Sequence, residues 1–511
     1  MVQFPPYKHK AMHVNNRLPS FYLLASICVL SVLDLNGTQA GILFVLIAAV
    51  LGIQSQRKNE IISPVAFVIV AYLLAFPFPM LLPGLYPDLW NTVSPESLEY
   101  GMLWALRGFS ALAIGYVLVE QYGARRRKQR PRDEALYRVR VSYTVYVLTG
   151  IGWLSMLAWI ASAMFFGISL TFIESDNVST DSGAGTLLQI FTLLSDLRYP
   201  FFLGFLVLRF WKKTDGHLTF LFIALVLISV VEMVVIGSKA SIIGAVIVAL
   251  LTQSILSIKF SVKTVAMGAL AVVAVYLSFA TITEYRSIMH TEQRSGRDVF
   301  DFAVQVESFK SAVLSSLPFS EKTTTRQTEV GQEEIYSRFS AGMFSLANLM
   351  EHTWRRPPYE NAWESFLIPI YAIAPRFLIP EKPVFFNSGR NAQEYYGWDY
   401  GGIAVSLPGS FYYAWGYTGI IFGMAFLGGL LAYVIGRVRM MGIYSPHGII
   451  LLPFLLLNMI YVDVTFHAIT TNLIRLAAIL WLLHLLFPLV RGPMRRRMSR
   501  ILGPIKNRSH T

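Results

Sequence analysis

The chain has 511 residues, of which 54% are hydrophobic and 14% charged, against roughly 25% charged in a typical soluble domain. Uncharged runs long enough to cross a ~30 Å hydrocarbon core recur along it, which excludes an ordinary soluble globule. Their continuity excludes a β-barrel, whose strands alternate lipid-facing and lumen-facing residues.

In chain order, the apolar runs predict twelve spans, near 18–34, 39–55, 61–82, 99–120, 142–170, 187–209, 218–236, 240–258, 264–283, 407–436, 447–464 and 468–490. The expected fold is therefore an all-α polytopic membrane protein. Its parts are a nine-helix bundle over 1–283, a polar island over 284–406, three more helices over 407–490 and a basic tail over 491–511. With the N-terminus in the cytoplasm, 27 of the 43 Lys and Arg residues fall on that side. They include Arg57/Lys58, the Arg125–Arg140 run, Arg437/Arg439 and the Arg491–Arg508 tail. This is the asymmetry of the positive-inside rule and gives N-in, C-in. The net charge of +13 is thus a topology signal and not a nucleic-acid one.

That orientation sends 284–406 to the outer face. The island holds 12 basic and 15 acidic residues and is nearly neutral. Within it, Val299, Phe302, Val306, Phe309, Val313 and Leu317 recur at helical spacing, as do Ile335, Phe339, Met343, Leu346 and Met350, which predicts two amphipathic helices. The apolar stretch Phe366–Ala374 is too short to span and is interrupted by Pro369. The single cysteine, Cys28, lies in the first span, so no internal disulfide holds the island. Residues 1–17 do not resemble a cleavable signal peptide.

Charged side chains inside spans are costly and are functional candidates for that reason. Lys239 sits at an outer hairpin. At ~1.5 Å per residue, Arg107 lies about 12 Å, Arg475 about 10 Å and Arg198 about 16 Å below the outer ends of their spans. Asp196, Glu232, Asp463 and His467 are the nearby titratable groups. Two readings stand: structural pairs tying helices together, or a basic set beneath an outer vestibule suited to an anionic headgroup, whose phosphate oxygens match the guanidinium fork. A second cluster is Arg376, Lys382 and Arg390, interleaved with Glu381, Glu394 and Asp399 and stiffened by Pro375, Pro380 and Pro383. Around it stand Tyr395, Tyr396, Trp398, Tyr400, Tyr412, Tyr413 and Trp415, as interfacial anchors or as surfaces for sugar rings. The sequence has no phosphate-binding Gly-rich loop and no His/Cys metal motif, so no cofactor is expected.

The layout, together with Pro375-Arg-Phe-Leu-Ile-Pro-Glu-Lys-Pro383 and Ser406-Leu-Pro-Gly-Ser-Phe-Tyr-Tyr-Ala-Trp-Gly416-Tyr-Thr-Gly419, resembles the Wzy-type O-antigen polymerases of bacterial inner membranes. The resemblance implies polymerisation of polyprenyl-diphosphate-linked oligosaccharide repeat units at the outer face, with the large loop periplasmic. It also implies a chain-length regulator as a possible partner. Arg376 and Lys382 would be its functional basic positions, stabilising the diphosphate leaving group with Arg390, and secondarily Arg198 and Arg286. Glu381, Asp399 or His467 would serve as a base. Where relatives often carry an acidic residue six positions before the glycine matched by Gly416, this chain has Ser410. An O-antigen ligase shares this layout and differs in acceptor. A lipid-linked oligosaccharide flippase would call for two-fold repeats and no large outer loop. A polyprenyl-monophosphate-dependent glycosyltransferase would call for a sizeable acidic first outer loop, where this chain has a turn carrying only Asp34.

Overall fold

The computed structural model of the chain describes residues 18–56, 63–83, 93–126, 134–166, 197–210, 216–236, 302–316, 342–351 and 406–441, with scattered positions in 191–195, 281–289 and 455–485. The described residues are almost all helical, with no strand among them. In order they form α1 (Leu18–Leu30), α2 (Gly37–Ser55), α3 (Pro64–Ala75), α4 (Pro77–Leu81), α5 (Pro95–Arg126), α6 (Glu134–Phe166), α7 (Arg198–Phe210), α8 (Gly216–Ile236), α9 (Phe302–Ser316), α10 (342–351) and α11 (Leu407–Met441). Among the described residues, five stretches are long and apolar enough to cross a membrane: Gly37–Ser55, Pro64–Leu81, Pro95–Gly123, Val145–Ser162 and Leu407–Gly436. The predicted spans at 240–258 and 264–283 lie outside the described residues except for Thr281, and those at 447–464 and 468–490 do so apart from scattered positions.

Local chemistry sets the helix ends. Asn36 caps α2: its side chain accepts from the Gln39 N–H at 2.9 Å, and its own N–H donates to the Gln39 side chain at 3.3 Å. This reciprocal box satisfies two backbone donors that helix geometry leaves over. Ser63 caps α3, followed by Pro64 at the first position, where a missing N–H costs nothing. The span expected over 61–82 is divided, because Pro77 and Pro79 interrupt the helix at Phe76 and start α4. The span expected over 187–209 also differs. Arg198 opens α7 instead of lying mid-helix, with a turn before it and Pro200 in its first turn.

Contacts between elements settle their directions. Cys28 Sγ reaches the Ser110 carbonyl and Arg107 reaches those of Ser31 and Val32, so α1 runs antiparallel to α5. Gly37 faces Met80 and Glu99 while Gly52 faces Ile69, so α2 runs parallel to α5 and antiparallel to α3. Gly108 faces Ile420 and Met424, Gly115 faces Ala425, Gly428 faces Leu112 and Gly429 faces Val119, which makes α5 and α11 parallel. These directions alternate along the chain: α1 and α3 run one way, and α2, α5 and α11 the other. The C-terminal ends of α2, α5 and α11 lie at one end of the bundle, and the sequence there runs into Arg57/Lys58, Arg125–Arg132 and Arg437/Arg439. The starts of α2, α5 and α11, with α10, lie at the other.

The α5–α11 seam rests on small residues. A Cβ at Gly115 would meet the Ala425 backbone, and one at Gly428 would meet the Leu112 backbone. Without side chains there, the two main chains approach closely, which is how helices associate in lipid where no hydrophobic drive distinguishes partner from solvent. Phe44, Tyr72, Phe76 and Phe109 fill the interior between α2, α3 and α5, with the Phe44 and Phe109 rings stacked 4.3 Å apart. A second set, α6, α7 and α8, packs through Phe201, Phe205 and Phe222.

Candidate functional site

The end of the bundle at which α2, α5 and α11 begin gathers most of the polar and aromatic groups that could meet a ligand. α11 starts at Ser406, whose Oγ accepts from the Gly409 N–H at 3.3 Å and whose own N–H donates to Ser345 Oγ on α10 at 3.3 Å. Close by, Gly101 of α5 lies against Ala347, and the Ser94 N–H donates to Glu351 at 3.3 Å. The helix of the polar island is thereby fastened to the heads of both central helices.

α11 is not the straight span its apolar pattern predicts. Trp415 (φ −141°, ψ 16°) and Gly416 (φ 67°, ψ −152°) interrupt it. The Gly416 geometry belongs to a region that only glycine occupies without strain. The half-helix before the break folds back on the half after it. Phe411 lies over Gly423, though twelve residues of straight helix would separate them by about 18 Å. Ser410 is buried here, and its hydroxyl donates to the Leu407 carbonyl at 2.9 Å, so it serves its own helix.

The break brings Tyr412 and Tyr417 together against α5. Tyr417 stacks on Trp104 with centroids 4.2 Å apart, meets Tyr100 edge-on at 5.9 Å and lies 5.1 Å from Tyr412. The Tyr417 hydroxyl lies close to those of Tyr100 and Tyr412. On Trp104 sits the Arg107 guanidinium, 4.7 Å from the ring centroid. Arg107 Nε donates to the Ser31 carbonyl at 3.1 Å and Nη2 to the Val32 carbonyl at 3.4 Å. These carbonyls lie just past the end of α1, where helix geometry leaves acceptors without partners and the dipole favours a cation. Two of the three guanidinium nitrogens therefore serve the fold.

Of the other expected site residues, Arg198 is 3% exposed at the head of α7, with its guanidinium carbon 5.1 Å from the Tyr199 ring centroid. Tyr412 is buried in the cluster above. Arg376, Glu381, Lys382, Arg390, Asp399, Arg286, Lys239 and Arg475 lie outside the described residues. In the island, the expected helix at 299–317 is α9, and that at 335–350 is described from 342 as α10. Tyr285 and Met289 pack against Ala312 of α9, and burial pushes the Tyr285 phenol up to about 12. No cluster of metal-ligating side chains occurs among the described residues.

Tyr100, Trp104 and Tyr417 escaped the sequence reading. Tyr100, Trp104 and Arg107 do stand at i, i+4 and i+7 on α5, one face of a helix. That spacing was legible. Their meeting with Tyr417 depends on the Gly416 break and was not.

The fold defines a helical membrane protein: among the described residues, five helices are long and apolar enough to cross a bilayer, and α11 is broken at Trp415–Gly416. Comparison of the chain with family models, curated proteins and solved structures finds no match.

Proposed function

We propose that the protein is a membrane-embedded glycosyltransferase that polymerises polyprenyl-diphosphate-linked oligosaccharide repeat units at the outer face of the bacterial inner membrane, with 284–406 periplasmic. The observation that carries this reading is the resemblance of Pro375–Pro383 and Ser406–Gly419 to the Wzy-type polymerases. The second of these segments also forms the capped, broken head of α11 at the polar end of the bundle.

In the proposed reaction, a hydroxyl of the incoming lipid-linked unit attacks the anomeric carbon at the reducing end of the growing glycan. The new glycosidic C–O bond forms as the carbon–oxygen bond to diphosphate breaks. Polyprenyl diphosphate carries away the electron pair, and the hydroxyl proton passes to a carboxylate, Glu381 or Asp399. The donor is already activated, so no nucleotide is consumed. Charge accumulating on the leaving diphosphate is stabilised by Arg376, Lys382 and Arg390, with Arg198 and Arg286 as secondary contributors. A chain-length regulator is the protein partner consistent with such a polymerase.

The test is a gel of products from the purified protein in lipid vesicles, given only the host's polyprenyl-diphosphate repeat unit. A ladder of multimers is expected. Arg376→Ala and Lys382→Ala should each lower ladder formation by about 100-fold or more, the scale of losing one preorganised charge-stabilising group, with membrane insertion unchanged. Full activity in both variants removes that cluster from the mechanism. Movement of the substrate across the bilayer without a ladder points to a flippase. Transfer only to added lipid A-core points to a ligase.

A further inference from the structure

We propose that Tyr100, Trp104, Tyr412 and Tyr417 form a platform for a neutral sugar ring, and that the diphosphate is held elsewhere. The glycan's identity as a repeat unit rests on the function proposed above; the platform itself rests on charge and geometry.

Charge speaks first. Asp34, Glu96, Glu99 and Glu351 are exposed at this end of the bundle. Against these four carboxylates, Arg107 is the one cation at this end among the described residues of α1–α5, α10 and α11, and it is bonded to the Ser31 and Val32 carbonyls. These four described carboxylates disfavour an anionic headgroup placed directly beside them. They do not disfavour a polyhydroxylated neutral ring, because carboxylates accept hydroxyl hydrogen bonds without needing a counter-charge.

Geometry points the same way. Tyr100 leaves 41% of its surface exposed, yet its hydroxyl is turned to Tyr417. An interfacial anchor does the reverse, directing its polar tip to water and its ring to lipid. Tyr100 is held upright by edge-on contacts with Trp104 at 6.4 Å and Tyr417 at 5.9 Å, which fixes the open ring before any ligand arrives. A phenol oxygen carries two lone pairs, so the Tyr100 and Tyr417 hydroxyls offer acceptors beside that ring. An apolar ring face next to fixed acceptors complements a sugar, whose C–H face and hydroxyl rim lie at right angles.

The experiment uses the full-length protein in nanodiscs. The probe is the repeat-unit oligosaccharide released from the host's polyprenyl diphosphate by mild acid, with binding read by saturation-transfer NMR and calorimetry. The oligosaccharide should bind without its diphosphate, and excess inorganic pyrophosphate should not displace it. Tyr100→Leu should weaken binding about tenfold through lost stacking. The nearly isosteric Tyr417→Phe, which keeps the packing, should weaken it about threefold through one lost neutral hydrogen bond. Displacement by pyrophosphate, or unchanged affinity in both variants, overturns the proposal. So does a Tyr100→Leu protein that binds normally but melts earlier, since that is the behaviour of an anchor. The two readings fail separately. Binding without any product ladder keeps the platform and rejects the polymerase, whereas a ladder indifferent to both variants does the opposite.

Discussion

The α5–α11 pair and the α6–α7–α8 set solve the same problem, holding apolar helices together in an apolar solvent, by different means. Along α5 and α11, 67% of the most apolar window is buried, against 33% for Val145–Ser162 of α6. The first pair meets main chain to main chain through Gly115 and Gly428. The second meets through ring faces, with Phe205 and Phe222 stacked at 4.3 Å and Gly152 against Phe201 and Leu221. Backbone contact has no rotamer with which to adjust, whereas side chains can turn aside. The rigid pair is also the one that carries the Trp104–Tyr417 stack, and a binding surface is most precise when its supports cannot shift.

Substitutions at four glycines test that contrast by thermal unfolding in detergent. Gly115→Ala should be the most damaging, costing about 3 kcal/mol or more because its Cβ is driven into the Ala425 main chain. A small effect there would mean the seam is looser than its contacts indicate. Gly416→Ala comes next, at about 1–3 kcal/mol for forcing an L-residue into a glycine-only conformation. It should also lower ladder formation, because Tyr412 and Tyr417 meet only across that break. Gly152→Ala should cost about 1 kcal/mol, since the atoms it meets, 2.9 Å away on Phe201 and 3.1 Å away on Leu221, belong to side chains. If it proved as costly as Gly115→Ala, the distinction between the two regions would fail. Gly216→Ala meets nothing within 4 Å and should be neutral or stabilising by about 0.5 kcal/mol.

Much of the frame was legible from local pattern. The apolar runs placed α2, α8 and the start of α11 within two residues, whereas α5 and α6 begin four and eight residues earlier than expected. The Cys28–Ser110, Arg107–Ser31 and Gly115–Ala425 contacts then fix the relative directions of those helices. The turn at Asn36 shows how little a short motif says alone. Asn36-Gly-Thr38 matches a glycosylation sequon, yet the asparagine side chain is engaged as the cap of α2. Arg107 shows the converse: a cation within a span invited a ligand, and its nearest obligation is to two helix-end carbonyls.

Sequence alone determined that this is a helical membrane protein, because hydrophobic length acts residue by residue and needs no partner. Tertiary structure decided where α11 breaks and which aromatics then meet. Gly416 is one glycine among 36, and no local pattern marks it as the point where the helix breaks. Its positive φ is set by the fold-back of Phe411 onto Gly419 and Gly423 and by the packing of both halves on α5. The packing on α5 joins residues some 300 apart in the chain, and no periodicity encodes it.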